Sequence, residues 1–151
     1  MDESSPLDVA NGRIEQFIPR AHQMGVRFVE MRPGYVRATV PFEGNGNHFG
    51  VMYAGVTFTV AEVLGGAMHV VTFDPTTHYP LVRSLTIDFL KPGRGALSAS
   101  ASLDQATIER VKAESAGGAK APFVLEAEVV GEDGVVVART RGDYQIRPFG
   151  M

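Results

Sequence analysis

The chain has 151 residues, of which 21% are charged and 44% hydrophobic, with a formal net charge of −3 and no cysteine. That length suits one domain with its own core, and the acidic balance argues against nucleic acid or an anionic membrane surface as partner. Lack of cysteine excludes disulfides, thiolate nucleophiles and cysteine-held metals, and it fits a reducing cytoplasm.

Met1 to Pro6 lack the basic-then-apolar order of a signal peptide. The weakly charged run from Gly44 to Gly66 is broken by glycines and by Glu62, too interrupted for a bilayer span. A soluble cytoplasmic protein is therefore expected. Val9, Ile14, Phe17 and Ile18 predict a short amphipathic helix over 8–20 that closes near Pro19. Residues 1–24 are read as the lead-in of a domain whose main body is 25–151.

Alternation then predicts two strands, 26–31 and 35–42, joined by Pro33-Gly34. Glu43 to Gly50 reads as a glycine-rich loop. Ala54 to about Thr72 reads as a helix apolar nearly all round, which implies burial. Leu85, Ile87 and Phe89 mark the next strand, ending at Lys91-Pro92-Gly93, and Leu97, Ala99, Ala101 and Leu103 mark another. A charged, small-residue connection (107–120) leads to Phe123, Leu125, Ala127 and Val129. Gly131-Glu132-Asp133-Gly134 turns the chain into a last strand, 135–147. A helix, two strands, a buried helix and four strands fit an α+β fold, one antiparallel sheet around one central helix. Its open edges and outer face invite a second copy.

The most telling segment is Asn47-His48-Phe49-Gly50-Val51-Met52-Tyr53-Ala54-Gly55, with Glu62 seven residues later. Gly55 falls in the first helical turn, where N–H groups lack partners and the dipole is positive. Such donors can hold a developing oxyanion. Glu62 lies about two turns on, on the same face, and an acid there is costly to bury without compensation. Its plainer reading is a solvated or subunit-interface residue. Tyr53 reads foremost as a packing residue with a satisfied hydroxyl, and His69 as a core or interface histidine. Lys91, Arg94 and Arg83 are expected around one strand end, as an anion-binding cluster or a solvated basic edge. No spacing suggests a metal site and no Gly-x-Ser-x-Gly elbow occurs. No cofactor is expected.

The element order and the 47–62 segment resemble hotdog-fold thioesterases of the phenylacetate-pathway (PaaI-like) type. That signature reads Asn-x-x-Gly-x-x-His-Gly-Gly, with an acid seven residues after the last glycine. Asn47, Gly50, Gly55 and Glu62 fall on it, and Tyr53-Ala54 stand where the family has His-Gly, as in a less characterised branch. Asp88-Phe89-Leu90-Lys91-Pro92-Gly93 resembles its strand-end turn. The resemblance implies hydrolysis of an acyl-CoA or related thioester at the interface of a dimer, or of a dimer of dimers. It implies Glu62 as general base or nucleophile, the Gly55 N–H as oxyanion donor, and Asn47 as a positioner of water or carboxylate. His48, Gly50, Tyr53 and Ala54 would meet substrate, and Arg83, Lys91 and Arg94 the coenzyme A phosphates. Phe58, Met68 and Leu90 are candidate tunnel residues. In the family, donor and acid come from opposite subunits. Two alternatives stand beside this one: a hotdog hydroxyacyl dehydratase using His48 and Glu62, and a non-catalytic acyl-binding module.

Overall fold

The computed structural model describes residues 4–150. Helix α1 (Pro6–Phe17) opens on a capping box in which Ser5 and Asp8 each satisfy the other's backbone N–H. Helix α2 (Pro19–Met24) ends on Gly25, whose φ of 87° suits glycine. The single helix expected over 8–20 is thus two. Pro19 opens the second instead of closing the first, since a first-turn N–H has no helical partner to lose.

Strands β1 (Arg27–Arg32) and β2 (Tyr35–Val40) form the expected hairpin. Helices α3 (Ala54–Glu62) and α4 (Leu64–Thr72) follow as one long helical run interrupted only at Val63. Strands β3 (His78–Phe89) and β4 (Leu97–Ser102), helix α5 (Gln105–Ser115), and strands β5 (Ala121–Gly131) and β6 (Val136–Pro148) complete the chain. The six strands make one sheet in the order β1-β2-β4-β5-β6-β3, with every pair antiparallel.

Alternation places Val36, Ala38, Val40, Leu97, Ala99, Ala101, Phe123, Leu125 and Val129 on the buried face. Val56, Val60, Leu64 and Met68 of the central helix are buried with them. The run Ala54–Thr72 has the length and hydropathy of a membrane span, yet this packing makes it the core helix of the fold.

Two expectations need correction. Most of the 107–120 connection is helix α5, which begins at Gln105 and is capped by Asp104, whose side chain accepts the Thr107 N–H at 2.7 Å. Ile108 and Val111 bury one side of it. The central helix is also not covered all round. Phe58 and Val70 are exposed and Gly55, Thr59, Glu62 and Gly66 are part-exposed, a stripe at three- and four-residue spacing. One sheet can cover only one side of a helix. The end strand β3 shares this openness, with its inner-face residues Val82 and Phe89 exposed.

Candidate active site

The loop before α3 is held by a residue the sequence reading passed over. Asn45 is buried, and its Nδ2 donates to the Met24 and Pro41 carbonyls at 2.7 and 2.8 Å. Its own carbonyl accepts the Tyr53 N–H at 2.9 Å, and the Met52 N–H reaches the Gly93 carbonyl at 2.7 Å. The loop end and the β3–β4 turn are thereby fixed to each other. Asn47 shapes the loop tip. Its Oδ1 accepts from the N–H groups of Phe49 (2.9 Å) and Val51 (3.3 Å). Gly50 closes that turn with φ 75° and donates to the Asn47 carbonyl at 3.0 Å. With its oxygen committed, Asn47 has only its amide N–H groups to offer elsewhere.

Helix α3 starts at the end of this loop. Tyr53 is its N-cap residue but makes no side-chain cap, and its carbonyl accepts the Val56 and Thr57 N–H groups. The N–H groups of Ala54 and Gly55 find no acceptor among the described residues. Two adjacent free donors at a helix N-terminus form a place for negative charge. The Tyr53 ring lies over Gly55, where a Cβ would sit 2.7 Å from the ring edge. Tyr53 does pack as expected, but it is 56% exposed and its hydroxyl has no partner among the described residues.

Glu62 ends α3 on the open stripe. It is half-buried, makes no hydrogen bond or ion pair through its carboxylate among the described residues, and burial pushes its pKa above the ordinary value. A solvated acid would show no such rise. Its peptide carbonyl accepts a hydrogen bond from the Tyr144 hydroxyl at 3.2 Å. Gly55 and Glu62 are seven residues apart, so they stand about 10 Å apart along the helix axis.

The family description that matches residues 13–146 reads "Domain of unknown function (DUF4442)". The chain belongs to this family. It is 38% identical to a Pseudomonas aeruginosa protein of unknown function described as a probable thioesterase, covering 95% of this chain and 97% of that one at a TM-score of 0.87. A second P. aeruginosa structure, a mutant thioesterase, is 18% identical over 97% of both chains (TM-score 0.77). A Haemophilus influenzae thioesterase is 15% identical over 99% and 95% (TM-score 0.77). These likenesses, with the sheet around its long helix, establish the α+β hotdog fold. No curated protein matches.

In this DUF4442 chain, Asn47, Ala54 and Lys91 line one groove with Thr57, Phe89 and Leu90, beside the start of α3. Lys91 also borders a second cleft with Arg94, Glu132 and Asp133. Arg83 does not join them. It sits inside β3 at the register shift between Val82 and Ser84, near Arg110 and Asp143, most of a strand from Lys91. The expected three-residue cluster is therefore two residues, balanced by two acids. His48 is exposed on the loop tip with its ring 4.0 Å from that of Phe49, and no hydrogen bond or ion pair links it to Glu62. Met68 is fully buried and cannot line an open tunnel, whereas Phe58 and Leu90 are exposed.

His69 is a core residue. It is 1% exposed, its Nε2 lies 3.0 Å from the His78 carbonyl, and its Nδ1 has no partner. His78 is held in turn by the Thr77 hydroxyl and the Ala119 carbonyl, each at 2.8 Å. Among the described residues no group of His, Asp and Glu is arranged to hold a metal ion.

Proposed function

We propose that this protein hydrolyses acyl thioesters, with acyl-CoA the first candidate, in a cytoplasmic homodimer whose two sites each draw on both chains. The observation that carries the reading is the Glu62 carboxylate, half-buried, unpaired and raised in pKa, on the one uncovered stripe of the core helix. Such a group is poised as a general base on water or as a nucleophile. The free N–H groups of Ala54 and Gly55 supply oxyanion stabilisation.

Both groups must lie within a few ångströms of one carbonyl carbon, and about 10 Å of helix separates them within a chain. A second copy, its helix running antiparallel along the open stripe, brings the Gly55 of one chain to the Glu62 of the other. The exposed apolar residues Phe58, Val82 and Phe89 give that pairing its drive. Lys91, Asn47 and Ala54 then border the entrance where a thiol-bearing group would lie. The similar protein described as a probable thioesterase adds support. Tyr53-Ala54 stand in place of His-Gly, with the Tyr53 ring over Gly55, in keeping with a variant branch of PaaI-like enzymes.

A panel of acyl-CoA thioesters with free-thiol detection tests the proposal. Wild type releases thiol, and Glu62→Gln, still folded and dimeric, loses at least a hundredfold in kcat. Enoyl product from a 3-hydroxyacyl thioester without free thiol would assign a dehydratase instead. Tight binding without turnover across chain lengths would leave an acyl-binding module.

A further inference from the structure

We propose that Tyr144 is a positioning residue for Glu62, a role whose effect on turnover rests on the thioesterase reading. Tyr144 stands on the inner face of β6 and is 3% exposed. Its ring stacks on Phe123 with centroids 5.5 Å apart, and it occupies space left by the absent side chains of Gly65 and Gly142. Held on several sides, the ring has little freedom.

Its hydroxyl donates to the Glu62 carbonyl at the one point where the central helix is interrupted, next to Val63. Among the described residues, the other side-chain hydrogen bonds between sheet and central helix involve Thr72 and His69, both in α4. Tyr144 makes the one side-chain hydrogen bond from the sheet to α3 among the described residues. Core filling explains the ring but not the hydroxyl, since phenylalanine would fill the same space without a polar group to satisfy. The bond fixes the peptide that carries Glu62, and therefore the place from which the carboxylate reaches across the stripe. Burial and the nearby Glu62 charge both push the Tyr144 phenol well up, so the hydroxyl remains protonated and donating.

Tyr144→Phe keeps the ring and removes the donor. The expected result is a folded dimer whose KM for an acyl-CoA stays within about twofold while kcat falls roughly tenfold. The titration of the Glu62 side chain, followed by carbon NMR of its carboxyl group, should shift from wild type. Phe123→Leu, which loosens the same packing but keeps the hydroxyl, should leave that titration in place. Wild-type kcat together with an unshifted titration in Tyr144→Phe would overturn the positioning role, as would an equal shift in Phe123→Leu. If wild type released no thiol from any thioester, the hydrolase reading would fall, and the titration would still decide what Tyr144 does.

Discussion

Gly65 and Tyr144 occupy one volume between them: a Cβ on Gly65 would overlap the edge of the tyrosine ring. Gly66, the next residue, has nothing within 4 Å of its would-be Cβ. The pair therefore answers oppositely to one substitution. Gly65→Ala must push a buried ring off β6 and should cost about 3 kcal/mol or more, enough to lower the thermal midpoint by several degrees. Within a single chain Gly66→Ala meets only helix propensity, which favours alanine by about 1 kcal/mol, whereas in the proposed dimer its stripe faces the second copy. As a monomer it should fold at least as stably as wild type. Thermal and urea unfolding at low protein concentration compare the two.

Gly55 and Tyr53 form a similar pair at the surface. Gly55→Ala would press on an exposed ring that can swing away, so stability should change little. The displaced ring would instead disturb the space over the Ala54 and Gly55 N–H groups, and kcat/KM should fall about tenfold. Tyr53→Ala combined with Gly55→Ala should recover most of that loss, because the conflict is between these two residues. Steady-state kinetics of both single variants and the double variant give the coupling energy. Additive losses would show that Gly55 is needed for some other reason.

Glu62 ties activity and stability to pH in opposite senses. Its pKa is raised by burial, and a base must be ionised, so kcat/KM should rise with pH through that elevated value. For stability, a raised carboxyl pKa favours the fold below the unfolded value, and that contribution is lost as pH climbs through the folded one. Glu62→Gln should therefore raise the thermal midpoint at neutral pH, with the gain vanishing below the ordinary carboxylate pKa. Unfolding curves for both proteins across that range provide the check.

His69 works the other way. Burial lowers its pKa, and its Nδ1 faces no acceptor for a second proton. The folded state holds it neutral, so its contribution is complete above the unfolded histidine pKa of about 6.5 and shrinks as pH falls below that. Denaturant titrations should show wild type losing stability through this acid range. His69→Gln, less stable at neutral pH, should lose less of its stability there, bringing the two proteins closer together.

Most of the fold was legible because strands and the core helix announce themselves by period. Phe123, Leu125, Ala127 and Val129 alternate, and every one is buried. Helix α5 was not legible in the same way, since only Ile108 and Val111 face inward among many charged and small residues. Its one signal was Asp104 three residues before Thr107, a plain N-cap. At the candidate site, the Gly55–Glu62 spacing was readable, but the support beneath it was not. Tyr144 lies 82 positions from Glu62, and no local pattern links a strand tyrosine to a helix carbonyl. Asn45 was eclipsed by Asn47, whose spacing matched a family signature while its neighbour carried the buried bonds. Arg83 stands apart from Lys91 because β3 begins at His78, well before the alternation at Leu85 shows, and eight extended residues of about 3.3 Å each separate the two.

The two-turn spacing of Gly55 and Glu62 has a genetic counterpart. In the dimer proposed above, a chain lacking Glu62 still offers a sound donor turn, and a chain with a ruined donor turn still offers a sound acid. Glu62→Ala and Gly55→Pro (the latter in a Tyr53→Ala background) should each be inactive alone. Unfolded together and refolded, half of their dimers are mixed. Each mixed dimer holds one site with both defects and one with neither, so roughly a quarter of the wild-type activity should return from two inactive proteins.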